Sequence, residues 1–299
     1  MSSKTSGGDL VRASRDGDQF HYAWAARQSL KLLSMQSGLT AVTIEGATVV
    51  DKAGPNGVVG DELIDVGLYY GSERPADARA IRYIQLKHST LRRNQSWTPG
   101  ELENTLSGFA ARYKERLKEL ATAFSAGRIR FQFISNRRFS KPILTSLQQL
   151  AVGTAPTYAE TAASLVRFTG LKGTRVQAFF SLLDFDGSAP DVWSQRNMLS
   201  EDLRGYLPEA DVDGPVQLKE LVTRKATTEF ETDPTIRRED VLRALKASEL
   251  DLFPAPSKIP APDGTIARKQ EPDILRDILA ASAPIVIHAD GGVGKSVLA

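Results

Sequence analysis

Apolar and polar positions change period several times along the first 150 residues, and each change marks an element. Phe20, Ala23, Trp24, Leu30 and Leu33 recur at intervals that keep them near one face of a helix, which opens at Gly17 and Asp18 and ends before Gly38. Residues 41–45 (AVTIE) form a short β-rich run stopped by Gly46, and a polar loop containing Gly54-Pro55-Asn56-Gly57 follows. Residues 63–70 (LIDVGLYY) and 80–88 (AIRYIQLKH) predict two strands joined by a hairpin-like connection over 71–79. Thr98-Pro99-Gly100-Glu101 opens a second helix that runs to about Phe124. Gly127 ends it, and residues 128–134 (RIRFQFI) alternate charged and apolar side chains as a half-buried strand does. The order is α-β-β-β-α-β.

Beyond residue 150 the pattern turns mainly helical. Residues 157–168, 191–206, 216–226 and 237–247 predict helices, and 176–185 is β-like. Residues 253–262 then carry four prolines, which excludes regular helix and central strand and predicts a stiff, extended linker. A short helix near 273–281 and an apolar run at 283–288 start a further unit. The expected fold class is therefore α/β, an αβββαβ core with a mainly helical C-terminal extension. The expected domains are 1–150, an extension over 151–252, a linker over 253–270 and the start of another domain at 271–299.

Composition narrows the function classes. The 299 residues are 41% hydrophobic and 25% charged, which suits a globular chain. There is no Cys, which removes disulfides, thiolate metal sites and cysteine nucleophiles and fits a reducing compartment. Residues 1–9 lack the apolar segment of a secretory signal, and no stretch suits a membrane span, so the expected location is the cytoplasm with no membrane partner. The net charge of +2 hides an uneven distribution: residues 91–150 hold 11 Lys/Arg against 4 Asp/Glu. Arg92, Arg93, Arg112, Lys114, Arg116, Lys118, Arg128, Arg130, Arg137, Arg138 and Lys141 make up that excess. They suit either a solvated surface or one that contacts phosphates.

Candidate chemistry lies between residues 45 and 87. Side chains two apart on a strand share a face, so Gln85 and Lys87 point one way while Ile84 and Leu86 point towards a core. Asp65 likewise projects opposite Ile64 and Val66. If the two strands pair, Asp65, Gln85 and Lys87 converge, with Glu45 at the end of the preceding strand as a fourth candidate. An acid, an amide oxygen and an ammonium suit Mg²⁺ or Mn²⁺, which takes one or two carboxylates plus a substrate phosphate. Such an ion activates water and offsets charge on the phosphate. Taken singly, Asp65 better suits a turn cap and Lys87 a strand edge; it is the joint arrangement that points to the cation.

The α-β-β-β-α-β order with Asp65 and then Gln85-Leu86-Lys87 resembles the PD-(D/E)XK nuclease superfamily, and the Q-x-K form resembles its Mrr-like restriction branch. Gly17-Asp18-Gln19-Phe20, Ile44-Glu45-Gly46, Ile64-Asp65-Val66, Ile84-Gln85-Leu86-Lys87-His88-Ser89 and Phe133-Ile134-Ser135-Asn136 are similar to the double-stranded-DNA nuclease effector domains of bacterial antiphage systems. The resemblance covers roughly residues 14–140 and implies a restriction-endonuclease-like, Mg²⁺-dependent DNA endonuclease of low sequence specificity. It implies Asp65 as central metal ligand, Gln85 as the second ligand in place of the commoner acid, and Lys87 as the motif lysine. Glu45 stands as the extra acid, a role for which Asp18 and Gln19 compete. Arg92 and Arg93 follow Lys87 most closely and are the first candidates for DNA phosphate contacts. His88 has a weaker claim to a phosphate or proton, and His21 suits packing. Self-association is implied for double-strand cleavage.

A second motif closes the chain. Ala289-Asp290-Gly291-Gly292-Val293-Gly294-Lys295-Ser296 follows an apolar run and matches a Walker A loop, with Ala where the first Gly is more usual. Gly291, Gly292 and Gly294 would let backbone N–H groups wrap phosphates, Lys295 would reach the β/γ-phosphates, and Ser296 would ligate Mg²⁺. The loop resembles those of NACHT-like or STAND signalling ATPases. The sequence stops three residues after Ser296, so the expectation is an N-terminal piece of a longer protein, with ATP as a cofactor only there. The alternatives are a subunit of an ATP-dependent restriction enzyme and a catalytically inactive module that binds DNA or a partner.

Overall fold

The computed structural model describes residues 7–53 and 57–252. The Pro-rich linker and the whole Walker A motif, Gly291 to Ser296 included, lie outside the described residues. The expected α/β class and the αβββαβ order are observed: α1 (Gly7–Leu30), β1 (Leu39–Ile44), a four-residue helix α2 (Val49–Lys52), β2 (Val66–Tyr70), β3 (Ala80–Lys87), α3 (Glu103–Ser125) and β4 (Ile129–Ser135). There follow α4 (Lys141–Val152), α5 (Ala159–Thr169), α6 (Thr174–Phe180), β5 (Leu183–Asp186), α7 (Val192–Tyr206), α8 (Gly214–Lys225), β6 (Thr235–Ile236) and α9 (Arg238–Ala244).

The strands form one sheet in the order β5-β4-β3-β2-β1-β6. β1, β2 and β3 are mutually antiparallel, β3, β4 and β5 run parallel, and β6 pairs antiparallel with β1. The alternation read from sequence sorts side chains to two faces. Ile81 and Tyr83 of β3 and Phe131 and Phe133 of β4 join Leu106, Phe109 and Tyr113 of α3 in one apolar core. Ile84 and Leu86 face the other way and pack with Phe20 and Trp24 of α1 and Leu199 and Leu203 of α7. The molecule is thus a three-layer α/β/α arrangement. The β1–β2–β3 meander brings the end of β1, the start of β2 and the end of β3 to one edge of the sheet, where β4 and β5 also end.

Several expectations are corrected. No break in compactness falls at residue 150: residues 1–252 form one unit, and β5 and β6 extend the sheet on both sides. α1 starts at Gly7, ten residues before Gly17, because a glycine costs a helix interior only about 1 kcal/mol. Residues 176–185 are not one strand. α6 follows Gly173 and buries Phe179 and Phe180, and only Leu183–Asp186 pairs with β4. The predicted strand over 63–70 begins at Val66, after a 3₁₀ turn at Asp61–Leu63. α4 and β6 had no sequence prediction. By contrast, Thr98 and Glu101 form the capping box that the second helix start implied.

Candidate active site

Asp65 sits where the sheet opens. Its N–H donates to the Ile84 carbonyl (2.9 Å) and its own carbonyl accepts from Glu45 N–H (3.0 Å), which ties it between the ends of β1 and β3. The preceding residues turn away, and the Leu86 N–H they would otherwise meet donates instead to Asp65 Oδ2 at 2.6 Å. The carboxylate is therefore held by backbone at the mouth of the opening. Asp65 is 9% exposed. Burial raises its pKa to about 6, against the pull of the Leu86 N–H and the Lys87 ammonium.

Glu45 follows β1 with φ of 52°, a left-handed conformation unusual for a side chain with a Cβ, and Gly46 continues the turn at φ 134°. The turn is tight: a Cβ on Gly46 would lie 2.7 Å from Asp61 Oδ2. Glu45 is exposed. Even so, the protein crowded around its carboxyl, followed by the charges of Asp65 and Asp18, raises its pKa to about 7, while Lys87 opposes the shift. Lys87 ends β3 and is exposed. Asp65, Asp18 and Lys87 thus all act on the Glu45 carboxyl, and Lys87 also acts on Asp65; two carboxylates whose ionised forms are disfavoured form a site that a cation would relieve.

His21 joins them, a residue that sequence periodicity assigned to packing. Its Nε2 lies 4.0 Å from Asp65 Oδ2. Burial and then the Lys87 ammonium lower its pKa to about 4, against a hydrogen bond to the Leu86 backbone and the Asp18 charge. The signal that could have found it is its place one residue after Phe20, on the rim of the α1 face that packs over β3. Gln19 is drawn elsewhere: its amide oxygen accepts from Lys219 (2.9 Å) and Arg196 (3.3 Å).

Gln85 departs from expectation. It is 3% exposed, and its Oε1 accepts a hydrogen bond from Thr105 Oγ1 of α3 at 2.5 Å. Its carboxamide oxygen is therefore engaged by the helix layer. Among the described residues no three His, Cys, Asp or Glu side chains gather as a metal-binding group. Asp65 and His21 come together as a pair, at 4.0 Å, and Glu45 does not join them in such a group.

The basic stretch proves to be divided: Arg112, Arg116 and Arg137 are buried, whereas Arg92, Arg93, Lys114, Lys118, Arg138 and Lys141 are exposed. Arg112 and Arg116 are each 1% exposed and surround the buried Asp51, at 3.0 Å to Oδ2 and 3.1 Å to Oδ1. Arg137 is buried against Glu101 (3.0 Å) with its guanidinium over the Trp97 ring. Arg128 donates to the Ala78 carbonyl. Arg92 is exposed but pairs with Glu101 at 3.1 Å. Arg93 remains. With Arg138, Asn94, Gln95, Asn136 and Ser188 it lines a cavity of about 570 Å³ at the carboxyl ends of β3, β4 and β5, beside the Asp65 edge. Among the described residues neither Arg93 nor Arg138 has a carboxylate partner. Asn136 holds the wall of this cavity by a reciprocal pair of bonds with the Ser89 backbone, at 2.9 and 3.1 Å. His88 stacks on Phe20 and is drawn into the interior. Among the described residues no helix is long and apolar enough to cross a membrane.

Comparison with known proteins adds little. No family profile matches the chain, and no curated protein matches it. Two solved structures of the Acinetobacter baumannii Cap4 SAVED/CARF-domain containing receptor, one with the cyclic trinucleotide 3'3'3'-cAAA and one with 2'3'3'-cAAA, are similar at 12% identity, with TM-scores of 0.42 and 0.41. They cover 76% and 75% of this chain and 44% and 42% of their own. The Moraxella osloensis Cap4 SAVED/CARF-domain containing receptor is similar at 14% identity and a TM-score of 0.43, over 81% of this chain and 50% of its own. The chain therefore spans half or less of the length of these structures. Similarity this weak assigns no chemistry to it.

Proposed function

We propose that this chain is a divalent-cation-dependent endonuclease acting on double-stranded DNA with low sequence specificity, the effector part of a bacterial antiphage protein. The observation that carries the reading is the Asp65 carboxylate lodged at the opening between β2 and β3, close enough to Lys87 to feel its charge and to Glu45 to raise the pKa of that carboxyl. The motif resemblance set out above supplies the antiphage setting, and control by a fused STAND-like ATPase belongs to that same proposal. A bound Mg²⁺ or Mn²⁺ would activate water and draw charge from the scissile phosphate. Asp65 would hold it, with Glu45 completing the negative wall. Lys87, projecting from the end of β3, would orient the attacking water and offset charge on the phosphate oxygens. Arg93 and Arg138 would take flanking phosphates in the adjacent cavity. Phosphate contacts position DNA without reading bases, which suits low specificity.

The Gln85–Thr105 bond favours one other reading, a module that has kept the fold and binds DNA or a partner without cutting. Supercoiled plasmid distinguishes the two. The wild type should nick it only with Mg²⁺ or Mn²⁺, and Asp65→Asn and Lys87→Ala should each lower the rate by about 10²-fold or more. Metal-independent nicking, or equal nicking by both variants, would remove Asp65 and Lys87 from the chemistry.

A further inference from the structure

We infer that His21 is a nitrogen ligand of the active-site cation, filling the place that the Q-x-K spacing assigns to Gln85, and that the site consequently favours Mn²⁺ over Mg²⁺. The inference rests on the reading of Asp65 as a metal ligand.

Geometry points there from two sides. The Gln85 amide oxygen, the donor expected from sequence, is buried and turned to Thr105 of α3. On the opposite layer α1 brings His21 to the same end of β3. Its imidazole approaches Asp65 Oδ2 at 4.0 Å, and that same carboxylate oxygen accepts from the Leu86 N–H. His21 and Asp65 thus flank a single peptide segment.

A separation of 4.0 Å is too long for a hydrogen bond. It lies within the span of two donors that share one ion, since metal–ligand distances of about 2.0–2.2 Å allow up to roughly 4.3 Å between them. Two or three protein donors, with water and substrate phosphate completing the shell, is how such ions are ordinarily held. An imidazole in that shell moves preference away from Mg²⁺, which takes oxygen, towards a first-row transition ion.

The test uses the full chain loaded with Mn²⁺ and read by pulsed electron paramagnetic resonance, which detects a directly bound imidazole nitrogen without any turnover. Wild type should show that coupling. His21→Leu should abolish it, and His88→Asn and His288→Asn should retain it, which assigns the signal among the three histidines. Calorimetric titration should show Mn²⁺ affinity falling about tenfold or more in His21→Leu and Mg²⁺ affinity about twofold or less. Binding that depends on Asp65 yet shows no nitrogen coupling in the wild type would overturn the inference and leave the nuclease reading standing. Absence of any Asp65-dependent Mn²⁺ binding would overturn both. Because the wild-type spectrum decides the main point, misfolding of a variant does not obscure it.

Discussion

Replacing Asp51 by Asn removes one negative charge from a place with no access to solvent. Its Oδ2 accepts from Tyr69 Oη (2.9 Å), Tyr83 Oη (2.5 Å) and Arg112 (3.0 Å), and its Oδ1 faces Arg116. Arg112 is tied further to the Gly57 and Val59 carbonyls and lies over the Tyr83 ring, and Arg116 reaches the Asp51 carbonyl. The substitution preserves shape but leaves the buried Arg112 guanidinium without a counter-charge and Arg116 with only Glu119, at 3.3 Å. Breaking a buried pair from one side costs about 3–5 kcal/mol. Total stability for a domain is about 5–15 kcal/mol, so a substantial share of the margin would be lost. At roughly 2–4 °C per kcal/mol for a unit of this size, Tm should fall by about 6–20 °C. Urea unfolding followed by circular dichroism measures the change directly. The triple variant Asp51→Leu, Arg112→Met, Arg116→Met should recover much of the loss, because it removes the charges together with their desolvation. An Asp51→Asn variant within about 1 kcal/mol of wild type would refute the view that these arginines are structural, and would return them to the candidate DNA surface.

Two further outcomes follow from charge. Burial opposes ionisation of Glu101, but hydrogen bonds from Arg137 and Thr98 outweigh it and bring its pKa from the ordinary 4.5 down to about 2. The folded value lies below the unfolded one, so the stabilisation is present above about pH 4.5 and is lost as pH falls towards 2. Thermal melts of Glu101→Gln should lie below wild type at neutral pH and converge with it by pH 2; a gap that does not change with pH would contradict this. For DNA held with Ca²⁺ to prevent cutting, Arg93→Gln with Arg138→Gln should flatten the slope of log Kd against log salt by about 2, near 0.9 for each phosphate no longer neutralised. An unchanged slope would show that the cavity does not meet the DNA backbone.

Local pattern and long-range packing divide this protein between them. Residue alternation alone placed Ile84 and Leu86 towards a core and Gln85 and Lys87 on the opposite face, and the α-β-β-β-α-β order put Glu45, Asp65 and Lys87 at one edge of the sheet. Period and turn chemistry act over a few residues, so they can be read without knowing the partners. They failed where a short apolar run fits either state, as at 176–185, and where an edge strand of two residues carries no period at all. Which groups meet was decided in three dimensions. Arg112 and Arg116 look like the rest of a basic stretch, and only the fold brings Asp51, some sixty residues earlier, between them. Gln85 turns to Thr105 because α3 covers that face, and His21 meets Asp65 because α1 covers the other. Spacing along a strand says which way a side chain leaves the backbone. The group it meets there depends on which helix packs above it, and that is a property of the assembled layers.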